Sequence, residues 1–340
     1  MVDVLKVLIN ASEKAACIAR SCCNGASDEV LLVAEKGEGE ANARFDKDFK
    51  TIADVLAQES AKSEIGVHSP KLAQNTRGEE CSEIGGIYIK LQETSEKTAE
   101  LLSSLVTPSV AKRMSEAAHT PVTLSLDLPK NLEPIDVNDL GVWIDPIDAT
   151  GEFISGVRGQ ANAGCGLPCV TVLIGAYLIS TGEPVMGVIN QPFYNNGKGR
   201  IIWGVNYAST KEWGTTETKS VAHSNIVLMS SAENLDVVNK LKKADLEVKS
   251  VPGAGHKLLK VALGEAGIYI VSKGTTFRWD TCAPHSILRA MGGDIVSFNT
   301  HTPITYNDPE DVETQQYCNF GGIIAYSDPK VFENIKSILV

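Results

Sequence analysis

A short apolar run that feeds straight into two aspartates three residues apart constrains this chain more than any other feature. The segment reads Trp143-Ile144-Asp145-Pro146-Ile147-Asp148-Ala149-Thr150. The apolar part, residues 142–144, predicts a strand. Pro146 fixes φ between the aspartates and removes one backbone donor. A turn there can aim both carboxylates, with the Ile147 carbonyl between them, at one point. Hard cations such as Mg²⁺ take oxygen ligands of this kind. Thr150 follows as the opening of a helix, whose free backbone N–H groups suit a phosphate.

Three further acidic stretches stand far from this one in sequence. Arg77-Gly78-Glu79-Glu80 carries adjacent glutamates, which in a loop are ordinarily solvated. Trp279-Asp280-Thr281 opens a helical pattern, and an N-cap is the plain structural role for Asp280. One carboxylate oxygen can cap while the other binds metal. Asp54 lies in the helical pattern of residues 49–61, where a single aspartate is ordinarily a solvated one. Only as a set do these groups carry chemistry. Five carboxylates and one carbonyl suffice for two or three cations, and paired cations clamp both oxygens of an in-line displacement.

The rest of the chain predicts a layered α/β protein. Residues 4–20 repeat apolar side chains at helical spacing, through Val4, Leu8, Ala11, Ala15 and Ala19. A polar, Glu- and Gly-rich stretch at 35–44 reads as a loop, and 85–91 as a strand. Residues 93–118 read as helix interrupted at Pro108. Residues 169–179 and 184–189 read as a hairpin about Thr181-Gly182-Glu183. Strands follow at 201–204 and 220–228. From 234 onward the patterns alternate: helix 234–244, extended 247–251, helix 256–264, strand 268–271, helix 281–291, strand 295–298, strand 321–326 and helix 329–339. A polar stretch at 197–218 is the natural division, giving an α+β subdomain over 1–210 with most of the metal ligands. The second subdomain, 211–340, would be α/β and would carry the substrate-contact loop and Asp280.

Composition narrows the function. A net charge of −11 runs against duplex nucleic-acid binding, so a phosphorylated ligand would have to be met by local or metal cations. No run is apolar and long enough to span a membrane. Asp3, Lys6, Glu13 and Lys14 leave no signal-peptide core near the start, and a cytoplasmic protein is expected. The eight cysteines are irregularly spaced, which predicts reduced thiols, several of them buried, rather than zinc ligands or disulfides.

The three ordered motifs Gly78-Glu79-Glu80, Asp145-Pro146-Ile147-Asp148-Ala149-Thr150, and Trp279-Asp280 with Gly292-Gly293 resemble those of the lithium-sensitive, Mg²⁺-dependent phosphatases of the inositol monophosphatase superfamily. They span most of the chain. Residues 48–58, 166–193, 253–257 and 275–293 resemble one branch in particular, the inositol polyphosphate 1-phosphatases. Members of that branch are longer than 340 residues, which implies trimmed surface loops here. Simple inositol monophosphatases usually carry Gly where Ala149 stands.

The resemblance implies an α/β/α/β/α sandwich of two subdomains. Glu79, Asp145 and the Ile147 carbonyl would hold the tightest Mg²⁺. Asp145, Asp148 and Asp280 would hold a second, and Glu80 a weak or Li⁺-competent site. Asp54, also counted among the metal-site residues, would pair with Thr150 to orient the attacking water, assisted by Glu79. Ala149 and Thr150 would offer N–H groups to the scissile phosphate beside Asp148. Ser231, Gly253, Ala254, Lys257 and Thr276 would contact the rest of the substrate. Glu233 stands where a lysine is often found, so one cation for a distal phosphate would be missing. Li⁺ is an implied inhibitor, and the expected assembly is a monomer or weak oligomer. Two rival readings remain. A 3′(2′),5′-bisphosphate nucleotidase shares the Trp279–Pro284 motif, although only 6% of residues are aromatic, which favours a small polar pocket over an adenine-stacking wall. A non-catalytic ion or inositol-phosphate binder would not need Thr150 beside Asp148.

Overall fold

The computed structural model describes residues 3–23, 31–37, 48–122, 124, 126–130, 132–217, 225–308 and 317–339. Helix α1 (Val4–Ser21) is capped by Asp3, whose carboxylate accepts from Lys6 N at 3.1 Å. Short strands β1 (Val33–Glu35) and β2 (Phe49–Thr51) pair antiparallel and lead into α2 (Ile52–His68). The sequence pattern predicts helix from Phe49. It starts three residues later because Thr51 caps it, accepting from Ala53 N and Asp54 N. The expected loop at 35–44 begins as the end of β1, and 38–47 lie outside the described residues.

Next come α3 (Pro70–Gln74), β3 (Thr76–Gly78), β4 (Glu83–Ile84) and β5 (Ile87–Tyr88). The stretch expected as one strand at 85–91 is instead a tight hairpin. Gly85 and Gly86 take φ of 60° and 77°, which a two-residue reversal requires. Pro108 does not break a helix but starts one: α4 (Ser95–Leu102) ends well before α5 (Pro108–His119), and proline suits a first turn.

The central strands follow: β6 (Leu140–Asp148), α6 (Thr150–Val157), β7 (Thr171–Leu178), β8 (Pro184–Gln191), the irregular turn α7 (Tyr194–Gly197), β9 (Arg200–Tyr207) and β10 (Thr210–Thr215). Their sheet has the order β10-β9-β8-β7-β6-β3, antiparallel except for the β3–β6 pair. The polar stretch 197–218 thus holds the outer strands of this sheet, and the change to the second sheet falls between Thr215 and Ile226.

The second half runs β11 (Ile226–Met229), α8 (Leu235–Lys243), β12 (Glu247–Ser250), α9 (Ala254–Ala262), β13 (Ile268–Val271), α10 (Arg278–Met291), β14 (Asp294–Ser297), β15 (Ile323–Tyr326) and α11 (Pro329–Leu339). The order is β12-β11-β13-β15-β14, with β11 parallel to both β12 and β13.

Alternating side chains assign the layers. In β7, Val172, Ile174 and Ala176 face a core shared with α1, α2 and α5, whereas Leu173 faces a second core with α9 and α10. In β13, Tyr269 and Val271 join that second core, while Ile268 and Ile270 face α8 and α11. The architecture is therefore α/β/α/β/α, as the resemblance implies. A row of cross-strand glycines lets α10 lie close on the first sheet. A Cβ at Gly175 would come within 2.4 Å of Ala283 N, and one at Gly187 within 2.0 Å of Ala283 O. That close approach brings the first turn of α10 to the end of β6.

Candidate active site

Asp54 and Asp280 stand in the N-terminal turns of helices and Asp148 faces another such turn, where unsatisfied N–H groups and the helix dipole favour negative charge. Asp54 is the third residue of α2. Its Oδ2 accepts from Thr51 N at 2.7 Å and from the Thr51 hydroxyl, completing a capping box. Asp280 holds the same position in α10, and its Oδ2 accepts from Phe277 N at 2.6 Å. It is thus not the N-cap but the residue that reaches back to it. Asp148 faces the start of α9: its Oδ1 accepts from Ala254 N at 3.2 Å and its Oδ2 from Gly255 N at 3.0 Å. Thr171 Oγ1 donates to the same Oδ2 at 3.1 Å. Gly253, at φ 78°, makes this approach possible, since a Cβ there would sit 3.1 Å from Asp148 Oδ2.

Asp145 and Asp148 do not lie on a turn after the strand; both are part of β6. Its register against β7 shifts between them, and the irregularity aims both carboxylates to one side. Ligand atoms of Asp145, Asp148 and Asp280 all lie within 4.8 Å of one another, and all three residues are buried. Thr150, first in α6, joins Asp54 to this group. Its hydroxyl lies 3.3 Å from Asp54 Oδ1 and 3.2 Å from the Ile147 carbonyl. Ala149 precedes it in the left-handed region, at φ 67° and ψ 48°. Glu79 extends the β3–β6 ladder, its N donating to Ile144 O at 3.0 Å.

Lys36 was not legible as a site residue. It follows β1 directly and is buried, with Nζ 2.6 Å from Glu79 Oε1 and 2.8 Å from Glu80 Oε1. Gln58 is a second residue that sequence reasoning missed. Its amide accepts from Glu80 N at 3.0 Å and donates to Glu80 O. It stands four residues after Asp54, on the same face of α2, so the helical spacing carried the signal. Among the remaining expected contacts, Lys257 Nζ donates to Val251 O at 2.9 Å and its charge favours ionised Asp148. Thr276 is buried and bonded to Asn319, at 3.1 Å through its hydroxyl. Ser231 is exposed just beyond β11. No hydrogen bond joins either of these two to the carboxylates. Glu233 is buried and accepts from Ser272 N at 2.9 Å.

Burial pushes Asp54 up to about 6, against the pull of its bonds to Thr51, and pushes Asp148 up to about 6, against Lys257 and Thr171. Asp145, Asp280 and Glu80 are driven well above the usual carboxylate range, by burial first and then by neighbouring carboxylates. Burial pulls Lys36 down, yet Glu79, Glu80 and Asp48 together leave it above its ordinary value. One internal ammonium does not answer so many acids. Asp145 Oδ1 and Glu80 Oε2 are buried without a hydrogen-bond partner, a costly state unless a cation or proton supplies one. Only oxygen donors converge, several of them anionic, so the set fits a hard divalent cation such as Mg²⁺.

The fold and this buried carboxylate centre define a class of α/β/α/β/α proteins with converging acidic groups, and comparison with known proteins specifies it. The inositol monophosphatase family matches residues 46–330, and the chain belongs to that family. It is 38% identical to human inositol polyphosphate 1-phosphatase, with all of this chain and 98% of the relative covered. It is 29% identical to human 3′(2′),5′-bisphosphate nucleotidase 1, with 91% of each chain covered. Among solved structures, the extragenic suppressor protein suhB from Bartonella henselae shares the fold, with a TM-score of 0.57 at 16% identity and 98% of both chains covered. None of the eight cysteines is joined in a disulfide, and Cys22, Cys169, Cys282 and Cys318 are buried. Among the described residues, no helix is long and apolar enough to cross a membrane.

Proposed function

We propose that the protein is a Mg²⁺-dependent phosphoric monoester hydrolase that removes the 1-phosphate of inositol polyphosphates such as inositol 1,4-bisphosphate. The observation that carries this reading is the meeting of Asp145, Asp148 and Asp280 within 4.8 Å, with the Asp54–Thr150 pair beside them. The likeness to inositol polyphosphate 1-phosphatase over the whole chain supports the substrate class.

Glu79, Glu80, Asp145, the Ile147 carbonyl, Asp148 and Asp280 would hold two or three Mg²⁺. Bound there, the cations would neutralise phosphoryl charge and acidify water. The chain's own groups do the rest. Thr150 Oγ1 donates a hydrogen bond to Asp54 Oδ1 and so turns a lone pair to a water, fixing the direction of attack. Glu79 stands by to receive the water's second contact. The first N–H groups of α6, beginning at Thr150, offer donors to the phosphoryl oxygens. Asp148 is kept from swinging by its three donors, Thr171 Oγ1, Ala254 N and Gly255 N. Lys257 and the start of α9 line the approach to Asp148 and suit the polar ring of the leaving alcohol.

Phosphate release from a panel tests the proposal: inositol 1,4-bisphosphate, inositol 1-phosphate, adenosine 3′,5′-bisphosphate and fructose 1,6-bisphosphate, each with Mg²⁺, with EDTA, and with Mg²⁺ plus tens of millimolar Li⁺. Hydrolysis of inositol 1,4-bisphosphate that needs Mg²⁺ and falls with Li⁺ is expected. A clear preference for adenosine 3′,5′-bisphosphate would replace the substrate assignment, and turnover in EDTA would remove the metal.

A further inference from the structure

Three of the carboxylates assigned to the metal lie two residues after a side chain that a single short segment holds. Arg77 precedes Glu79, Trp143 precedes Asp145, and Arg278 precedes Asp280. Three consecutive residues grip them. Trp143 Nε1 donates to Tyr306 O at 3.0 Å. Arg278 Nη1 donates to Asn307 O. Arg77 forms a two-pronged ion pair with Asp308, with Nη2 to Oδ2 at 3.0 Å and Nη1 to Oδ1.

The segment is itself anchored. Tyr306 N donates to Gly182 O at 3.0 Å, on the β7–β8 turn. Tyr306 Oη lies 2.9 Å from His285 Nδ1, inside α10. Tyr317 ties the same three grips from another side. Its ring stands 4.7 Å from that of Trp143, and the Arg77 and Arg278 guanidinium groups lie 5.8 Å and 5.9 Å from its centre.

We infer that residues 306–308 form a positioning strap that sets the spacing of the three ligand-bearing segments, and with it the affinity for divalent cations. The inference rests on the reading of Glu79, Asp145 and Asp280 as metal ligands. The carboxylates repel one another, and they come from β3, β6 and α10, which meet only in the folded chain. Residues two apart in a strand share a face, so a grip on Trp143 is also a grip on the direction of Asp145. Groups that orient ligands without touching the ion typically change affinity about 10- to 100-fold.

Asp308 is the grip to test, because it can be loosened without unfolding the protein. Its side chain is 62% exposed and that of Arg77 41%, and exposed pairs contribute only about 0–1 kcal/mol to stability. Mg²⁺ binding to the full chain would be measured by titration calorimetry, alongside the thermal midpoint of the metal-free protein and the Mg²⁺ dependence of phosphate release. For Asp308→Asn, Mg²⁺ binding should weaken about ten-fold, with the metal-free midpoint unchanged within about 2 °C and kcat recovered at saturating Mg²⁺. Asp308→Glu should restore most of the affinity. Glu93→Gln, which loosens the comparably exposed pair with Lys97, should change neither quantity. Wild-type affinity in Asp308→Asn would overturn the strap, as would a fall in affinity matched by a fall in the metal-free midpoint. A wild-type chain that binds no Mg²⁺ would instead overturn the metal reading beneath it.

Discussion

Ala149 holds the left-handed conformation that joins Asp148 to α6, at φ 67° and ψ 48°. A Cβ there costs roughly 1 kcal/mol, part of which glycine loses again through greater freedom when unfolded. Ala149→Gly should therefore stabilise the protein by about 0.5 kcal/mol, read as a higher urea midpoint at unchanged slope. A lower midpoint would mean that the methyl group packs well enough to outweigh the strain. Asp148→Asn tests the opposite balance. The amide keeps the shape but has one acceptor where the carboxylate has two, and it removes a buried charge. Turnover should fall by about 10²-fold or more, while the metal-free protein stays folded, since relief of a charge that burial disfavours offsets the loss of one of its accepted N–H bonds. Full turnover, or a collapse in melting temperature, would contradict the assignment. The aspartates at 145 and 148 could be read from sequence because a strand and a proline confine them. Asp54 stands in a Thr-x-x-Asp capping box, a local signal that hides a buried site residue behind an ordinary helix start. Lys36 gives no local signal, because its partners Glu79 and Glu80 lie more than forty positions away.

At the level of elements, Gln58 couples α2 to the stretch that carries the glutamates. Its buried side chain satisfies both backbone groups of Glu80 and lies against Gly78, where a Cβ would fall 1.9 Å from Gln58 Oε1. Gln58→Leu would leave a buried N–H and C=O without partners, at about 1–3 kcal/mol each. The variant should lose roughly 2–4 kcal/mol of stability in urea, in the absence of metal. A loss below about 1 kcal/mol would show that Glu80 finds other partners. Most elements were legible because their apolar periods are long and their caps are local, as in α1 and α8. The failures share a cause. Gly85-Gly86 look like part of an alternating run until positive φ at both positions folds it back. Strand β10 (Thr210–Thr215) is too polar to announce itself. It exists because β9 offers it a paired edge.

For the molecule as a whole, the centre between the two sheets should make stability depend on pH in a direction that metal reverses. Asp54 and Asp148 keep their protons up to about 6 when folded, against an ordinary 3.8. Between those values the folded chain binds more protons than the unfolded one, so stability falls as pH rises. Each of the two contributes roughly 3 kcal/mol of loss on that scale, and Asp145, Asp280 and Glu80 add loss above it. His256 opposes this. Burial lowers it to about 4, so its contribution grows as pH rises from there to its ordinary 6.5. Burial lowers His119 and His285 as well, and three imidazoles set against five raised carboxylates leave the net slope negative for the metal-free protein. Mg²⁺ binds the ionised carboxylates and must displace their protons. The gain in melting temperature on adding Mg²⁺ should thus be small at pH 5 and largest near pH 8, and uptake near pH 6 should release protons into weakly buffered solution. Scanning calorimetry at pH 5, 6.5 and 8, with Mg²⁺ and with EDTA, measures both slopes. Equal gains at the three pH values would mean that the buried carboxylates are not what the cation meets.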